Sequence, residues 1–150
     1  GRESLGYMAF YGDTKEPFTQ DVIRIPANLV IRNKFLGNIL FESYEVDEKS
    51  ENYTAVDGLL MSRDGRTLAS VPTLTEGGLV IPEGTLYIEY SALADCEKVT
   101  DIYLPDSILD IGGIDAKNYE TGEYLYVIHC TPGSEAQRKL DARGIPWVEK

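Results

Sequence analysis

Short triplets in which two apolar residues flank a third residue recur along the chain. They occupy residues 23–25, 44–46, 79–81, 102–104 and 125–127, and three of them are followed by proline. Alternation with a period of two over so few residues predicts very short strands with one buried face, and proline ends such a strand because it has no N–H to donate. The last three triplets begin at equal intervals, at positions 79, 102 and 125, and this even spacing predicts a repeated structural unit.

The segment that follows these triplets repeats as well. The letters IPEG at residues 81–84 return as LPDS at residues 104–107, and the same offset pairs Leu86 with Leu109 and Ile102 with Leu125. The hexapeptides LGYMAF, IEYSAL and IGGIDA, which begin at residues 5, 88 and 111, are interpreted as return legs. Each coil is therefore expected to contain one strand and one return leg, and to bury its apolar residues against the next coil.

The interval between the second and third triplets is longer than the others because it contains an additional segment. Two apolar runs there flank the sequence Arg63-Asp64-Gly65-Arg66. Asp-Gly favours a hairpin turn because glycine accepts a positive φ. The sequence therefore predicts a β-hairpin inserted at about residues 53–72.

The C-terminal residues have the pattern of a short helix. Ser134 is a candidate N-cap with Gln137 three residues later, which is the spacing of a capping box. Gly144 can end the helix, and Pro146 prevents it from resuming. We predict a helix over about residues 135–142 within a C-terminal cap at about residues 133–150, which would cover the apolar end of the last coil.

Residues 81–105, IPEGTLYIEYSALADCEKVTDIYLP, resemble the BspA-like leucine-rich repeat of bacterial surface proteins, with Cys96 at the cysteine position of that repeat. The segment YEVDEKSENYTAVDGLLMSRDGRTLASVP and the ending GSEAQRKLDARGIPW are similar to the hairpin repeat and the terminal helix of the same family. The resemblance implies an α/β leucine-rich-repeat solenoid, with short parallel strands, irregular or 3₁₀ return legs, an inserted β-hairpin and a C-terminal capping helix. It also implies an extracellular or cell-surface location.

Composition and charge narrow the class of protein. A chain of 150 residues with 43% hydrophobic content is long enough for one domain with a core, so residues 1–150 are interpreted as a single domain. Because the chain opens in the middle of a return-leg pattern, we expect it to be a piece of a longer protein. A net charge of −11 repels phosphate backbones, and no apolar run is long enough to cross a bilayer. We therefore expect neither nucleic-acid binding nor membrane insertion.

Candidate chemistry is sparse. His129 and Cys130 are adjacent on a predicted strand, so their side chains point to opposite faces and cannot act as a catalytic pair. Cys96 and Cys130 are interpreted as two buried thiols, with a disulfide as the alternative. The acidic residues between positions 42 and 51 lack the spacing of a calcium loop and are interpreted as a solvated surface. We expect no enzymatic activity, no cofactor and no metal.

The outward positions of the predicted strands offer a contact surface. If the five strands form one sheet, the central residues of the triplets lie side by side on its outer face. The candidate binding residues on this face are Arg24, Glu45, Asp101, Tyr103, Tyr124 and Tyr126. Exposed tyrosines provide a large contact area and a hydroxyl for hydrogen bonding. The alternative is that the tyrosines only pair across strands and stabilise the sheet.

Three functional classes are compatible with the sequence. The first is a protein-interaction or adhesion module whose partner is a protein, such as host extracellular matrix or another cell-surface protein. The second is a passive spacer that projects other domains. The third is a carbohydrate-binding or hydrolytic domain, which would combine paired carboxylates in a cleft with an aromatic platform, and Asp101 beside Tyr103 supplies half of that arrangement.

Overall fold

A computed structural model describes residues 18–30, 39–93, 96–112, 114 and 120–150. The predicted return leg at residues 5–10 lies outside the described residues. The described strands are β1 Phe18–Ile25, β2 Ile39–Val46, β3 Tyr53–Val56, β4 Leu59–Ser62, β5 Thr67–Ser70, β6 Gly77–Val80, β7 Tyr87–Ile88, β8 Val99–Tyr103, β9 Val127–Cys130 and β10 Trp147–Glu149, and the helix α1 is Glu135–Ala142. Together they form a parallel-strand solenoid of about five turns with one short helix near the C-terminus.

The strands belong to three sheets rather than to one. The first is the parallel pair β1-β2, and the second is a parallel sheet in the order β10-β9-β8-β6. The third has the order β3-β4-β5-β7, in which β3, β4 and β5 run antiparallel and β7 runs parallel to β5. The prediction of one five-stranded sheet is therefore wrong, because β1 and β2 pair only with each other among the described strands.

The even spacing of the repeat holds in the middle of the chain and changes near its end. Leu79 of β6 pairs with Ile102 of β8, and on the return side Tyr87 bridges Asp110, so both pairs join positions that lie one predicted repeat apart. Ile102 then pairs with Ile128, so the predicted pairing of Ile102 with Leu125 is wrong. The last coil contains three additional residues before its strand begins, and they move β9 to residues 127–130.

The serine of LPDS, which replaces the glycine of IPEG, links two coils through hydrogen bonds. The hydroxyl of Ser107 accepts a hydrogen bond from the Gly84 N–H at 3.0 Å and donates one to the Thr85 carbonyl at 2.8 Å. Gly84 has a φ of +95°, a conformation that favours glycine, whereas Ser107 is not among the residues with a positive φ. The two equivalent positions therefore differ in backbone conformation as well as in side chain.

Strands β4 and β5 separate the apolar core into two clusters. On β4, Leu59 and Met61 belong to the larger cluster and Leu60 to the smaller one. On β5, Leu68 belongs to the larger cluster and Ala69 to the smaller one. Because successive side chains of a strand point to opposite faces, these two strands are covered on both faces and form a wall inside the molecule.

The helix α1 begins at a capped end and packs on the larger cluster. The Ser134 hydroxyl accepts a hydrogen bond from the Gln137 N–H at 3.2 Å, and Gln137 Oε1 accepts one from the Gly133 N–H. Ala136 and Leu140 are the buried residues of the helix. After the helix the chain returns to the sheet as β10, which pairs in parallel with β9. The sequence pattern did not predict this strand.

Candidate functional site

The outer face of the sheet β10-β9-β8-β6 carries a compact set of side chains. Because paired residues of parallel strands point to the same side, the sheet register aligns them in two rows. One row consists of Val80, Tyr103, His129 and Val148, and the other contains Asp101 and Val127. The residues between them, such as Leu79, Ile102 and Ile128, are buried in the core. We call the six outer residues the sheet-face patch.

Valine is the most exposed component of the sheet-face patch. Val80 is 65% exposed, Val127 is 46% exposed and Val148 is 44% exposed. Valine favours strands for conformational reasons, but threonine would serve the backbone equally well without placing a second methyl group in water. Three exposed valines on one face therefore form an apolar surface, and such surfaces frequently mark contact sites.

Two aromatic rings stack at the centre of the sheet-face patch. The ring centroids of Tyr103 and His129 lie 4.2 Å apart, and the ring planes differ by 17°. Tyr103 also leans over Gly78, where a Cβ atom would lie only 3.1 Å from Tyr103 Cε2. The missing side chain at Gly78 thus provides part of the space that the tyrosine ring occupies.

Asp101 is held between two hydrogen-bonding side chains. Its Oδ1 lies 2.9 Å from His129 Nε2, and its Oδ2 accepts a hydrogen bond from the Thr100 hydroxyl at 2.8 Å. The hydrogen bond with His129 and then the one with Thr100 lower the pKa of Asp101 below its ordinary value. Since about a third of its side chain is exposed, with a relative accessibility of 33%, Asp101 presents an oriented carboxylate to solvent.

Replacing His129 by phenylalanine should raise the pKa of Asp101, because the ring is retained while the hydrogen-bond partner is lost. A lowered pKa means that the interaction stabilises the fold at neutral pH and that this contribution is lost as the pH falls through the pKa of the folded state. The substitution should therefore destabilise the protein more at pH 7 than in acid. Carboxyl carbon resonances followed by NMR during a pH titration would measure the shift.

Asp64 provides an internal control for that titration. Its pKa is also lowered, in this case chiefly by the Ser62 hydroxyl and the Arg66 N–H, and it lies outside the sheet-face patch. The pKa of Asp64 should be the same in both proteins. An unchanged Asp101 pKa in H129F would show that His129 does not set the ionisation of this carboxylate.

The structure brings together only part of the predicted binding residues. Asp101 and Tyr103 lie in the sheet-face patch, and the neighbour of Tyr103 on the adjacent strand is His129 rather than the predicted Tyr126. Tyr124 and Tyr126 precede β9, where Tyr124 is exposed and Tyr126 packs partly against the larger core cluster. The prediction that these two tyrosines share a strand face with Tyr103 is wrong because the last coil is three residues longer.

Arg24 and Glu45 lie on the separate sheet β1-β2. They are register partners, and Arg24 Nε lies 2.9 Å from Glu45 Oε2. Both side chains are more than half exposed, and an ion pair of this kind typically contributes about 0–1 kcal/mol to stability. The two residues line an open depression of about 520 Å³ with Ile25, Pro26, Val46 and Asp47. The predicted placement of this pair on one sheet with Asp101 and Tyr103 is wrong.

The two cysteines have separate surroundings. Cys96 Sγ lies 3.5 Å from the Val71 carbonyl and 3.6 Å from the Pro72 carbonyl, so the thiol holds two turns of the chain together. Cys130 is buried, and burial raises the pKa of its thiol. Cys130 faces the core while His129 faces Asp101, as the alternation of side chains along β9 requires.

Within the described ranges, no group of three or more histidine, cysteine, aspartate or glutamate residues is arranged to hold a metal ion. The helix in that part of the chain is also too short to span a membrane.

Comparison with known proteins gives matches among solved structures. No family model and no curated protein matches the chain. A leucine-rich repeat protein from Eubacterium ventriosum has a similar structure, with a TM-score of 0.56 and 18% identity over 73% of this chain. The pneumococcal vaccine antigen PcpA aligns over 88% of this chain and 56% of its own, with a TM-score of 0.39 and 13% identity.

The first of these neighbours is much longer than the matched region, since the alignment covers 29% of its chain. The parallel-strand solenoid of this chain corresponds to the architecture that the repeat spacing predicts. The sequence resemblance is thus confirmed at the level of the fold: the chain is a parallel-strand solenoid whose fold is similar to that of a leucine-rich repeat protein.

Proposed function

We propose that the protein is a non-catalytic interaction module that binds a protein partner through the sheet-face patch. The observation that carries this proposal is the exposure of Val80, Val127 and Val148 around the stacked rings of Tyr103 and His129. Interface centres are typically rich in aromatic and apolar side chains and poor in lysine and glutamate. The sheet-face patch has that composition on a chain that is otherwise strongly acidic.

The geometry around His129 supports recognition rather than covalent catalysis. A nucleophile must lie within hydrogen-bond reach of the base that activates it. The adjacent thiol of Cys130 points into the core, on the opposite side of β9 from the His129 ring, so it is not placed to be activated by that ring. Binding through oriented but unreactive side chains is the simpler use of this arrangement.

Finer features of the architecture, the location and the activity belong to the same proposal. The strands β3, β4 and β5 would be the inserted hairpin of the repeat family, and α1 with β10 would close the last coil against water. An extracellular or cell-surface location is supported by the sequence resemblance to bacterial surface repeats. Adhesion to host extracellular matrix or to another cell-surface protein is the corresponding activity.

A binding screen with matched variants tests the proposal. The purified protein would be measured against a panel of extracellular-matrix proteins and glycans, together with the double substitution Val80→Thr and Val148→Thr. Threonine preserves the strand propensity and removes apolar surface, so binding to a protein on the panel should weaken by about tenfold while the fold is retained. Val30→Thr is the control, because Val30 is 45% exposed outside the sheet-face patch.

Three results would contradict the proposal. Equal loss of binding in the Val30 control would show that the sheet-face patch is not the contact surface. No binding to any panel protein would favour the spacer function. Binding to glycans alone would favour the carbohydrate-binding function, for which the carboxylate of Asp101 beside the Tyr103 ring is the relevant feature.

A further inference from the structure

We infer that the partner presents an arginine to the sheet-face patch, with its guanidinium group on the Asp101 carboxylate and its hydrocarbon stem along the exposed Val127. This inference rests on the proposed function, because it specifies which chemistry the same surface recognises. Three properties of the sheet-face patch support it, namely an oriented carboxylate, the absence of lysine and arginine among its six residues, and an apolar rim.

The carboxylate of Asp101 retains acceptor capacity after its two internal contacts. Two carboxylate oxygens offer about four lone-pair sites, and the contacts with His129 and Thr100 engage one site on each oxygen. The same contacts fix the plane of the carboxylate before any partner arrives. A pre-oriented acceptor loses less freedom on binding than a mobile surface side chain would.

The charge around Asp101 favours a cationic partner. None of the six residues of the sheet-face patch is a lysine or an arginine, and the whole chain has a net charge of −11. Lys150 follows β10, but its Nζ donates to the Leu104 carbonyl at 2.9 Å and lies within 4 Å of Glu83 and Asp106. The nearby ammonium group is therefore engaged elsewhere, and the long-range field attracts positive groups.

The remaining surface suits arginine better than lysine. A guanidinium group is planar, forms two parallel hydrogen bonds with one carboxylate and is weakly hydrated, so it tolerates an apolar surrounding. Its three-carbon stem can lie along apolar surface while the charged end stays at Asp101. Val127, the register partner of Asp101, provides that apolar surface, and Val80 and Val148 extend the apolar surface at the two ends of the other row.

Two synthetic peptides test this inference on the unmodified protein. The probe is N-acetyl-Val-Arg-Val-amide, and its control has citrulline, a neutral residue of the same shape, in place of arginine. The arginine peptide should shift the backbone amide resonances of Asp101, Tyr103 and His129 in a ¹⁵N NMR titration. Because a charge-assisted hydrogen bond is lost, the citrulline peptide should bind at least about tenfold more weakly than the arginine peptide.

Substitutions then locate the interaction. Asp101→Asn keeps the shape of the side chain and should weaken binding of the arginine peptide by about tenfold. Asp21→Asn removes the same charge from an exposed position on β1, in a different sheet, and should change binding by less than about twofold. Raising the salt concentration should weaken the arginine peptide more than the citrulline peptide.

The outcomes separate this inference from the proposed function. Equal binding of the two peptides, or no shift at Asp101 with the arginine peptide, would overturn the arginine inference. A panel protein whose binding depends on Val80 and Val148 but not on Asp101 would also overturn it, while leaving the proposed function intact. Unchanged binding of every panel protein after the substitutions at Val80 and Val148 would contradict the proposed function itself.

Discussion

Replacing Gly112 by alanine is expected to lower the free energy of unfolding by about 3 kcal/mol or more, because two separate costs combine. Gly112 has a φ of +47°, which residues with a Cβ atom adopt only with strain. An added Cβ would also overlap the carbonyl oxygen of Ile88, which belongs to the preceding coil. The obstacle is backbone, so it cannot move aside as a flexible side chain could. Chemical denaturation would measure the loss.

Gly84→Ala separates the two costs. Gly84 also has a positive φ, of +95°, but an added Cβ would meet no atom within 4 Å. This variant should lose only the conformational component, about 1–2 kcal/mol. Equal effects of the two substitutions would show that the coils do not approach each other as closely at Gly112 as the structure indicates.

Replacing Leu60 by alanine is expected to lower the free energy of unfolding by about 2–5 kcal/mol. Leu60 is fully buried and projects from the wall of β4 and β5 into the smaller core cluster. The wall is covered on both faces, so its backbone cannot shift toward the resulting cavity without disturbing the larger cluster behind it. Incomplete relaxation places the cost toward the upper part of this range.

Leu109→Ala is the matched control for that measurement. The same atoms are removed from a side chain that is 46% exposed, so the change should be within about 1 kcal/mol. A small effect of Leu60→Ala, comparable with that of the control, would contradict the division of the core by the two strands.

The local alternation of apolar residues predicted the middle of the solenoid well. The pairs Leu79–Ile102 and Tyr87–Asp110 follow from the constant length of the repeat, since each coil must bury the same positions against the next. Equivalent residues of two adjacent coils therefore pair with each other as long as the repeat length is constant.

The composition of the sheet-face patch could not be predicted from the same rule. A constant repeat length placed Tyr126 beside Tyr103, whereas the three additional residues of the last coil place His129 there. The only sequence signal for the correct strand is its own alternation, in which Ile128 and Cys130 are buried while Val127 and His129 are not. Such a signal identifies a strand, but it does not identify which residues of the adjacent strand lie opposite. That register depends on the length of the connecting segment, which the apolar periodicity does not contain.

The hydrogen bonds of Ser107 limit how this solenoid could be extended by design. An array built by copying the IPEG coil would have no hydroxyl between successive turns, because every equivalent position would be glycine. An array built from the LPDS coil would have the hydroxyl, but it would require serine at the position where Gly84 adopts a φ of +95°. The smallest module that can be tiled without losing this contact is therefore a pair of unlike coils, and a consensus averaged over single repeats would erase it.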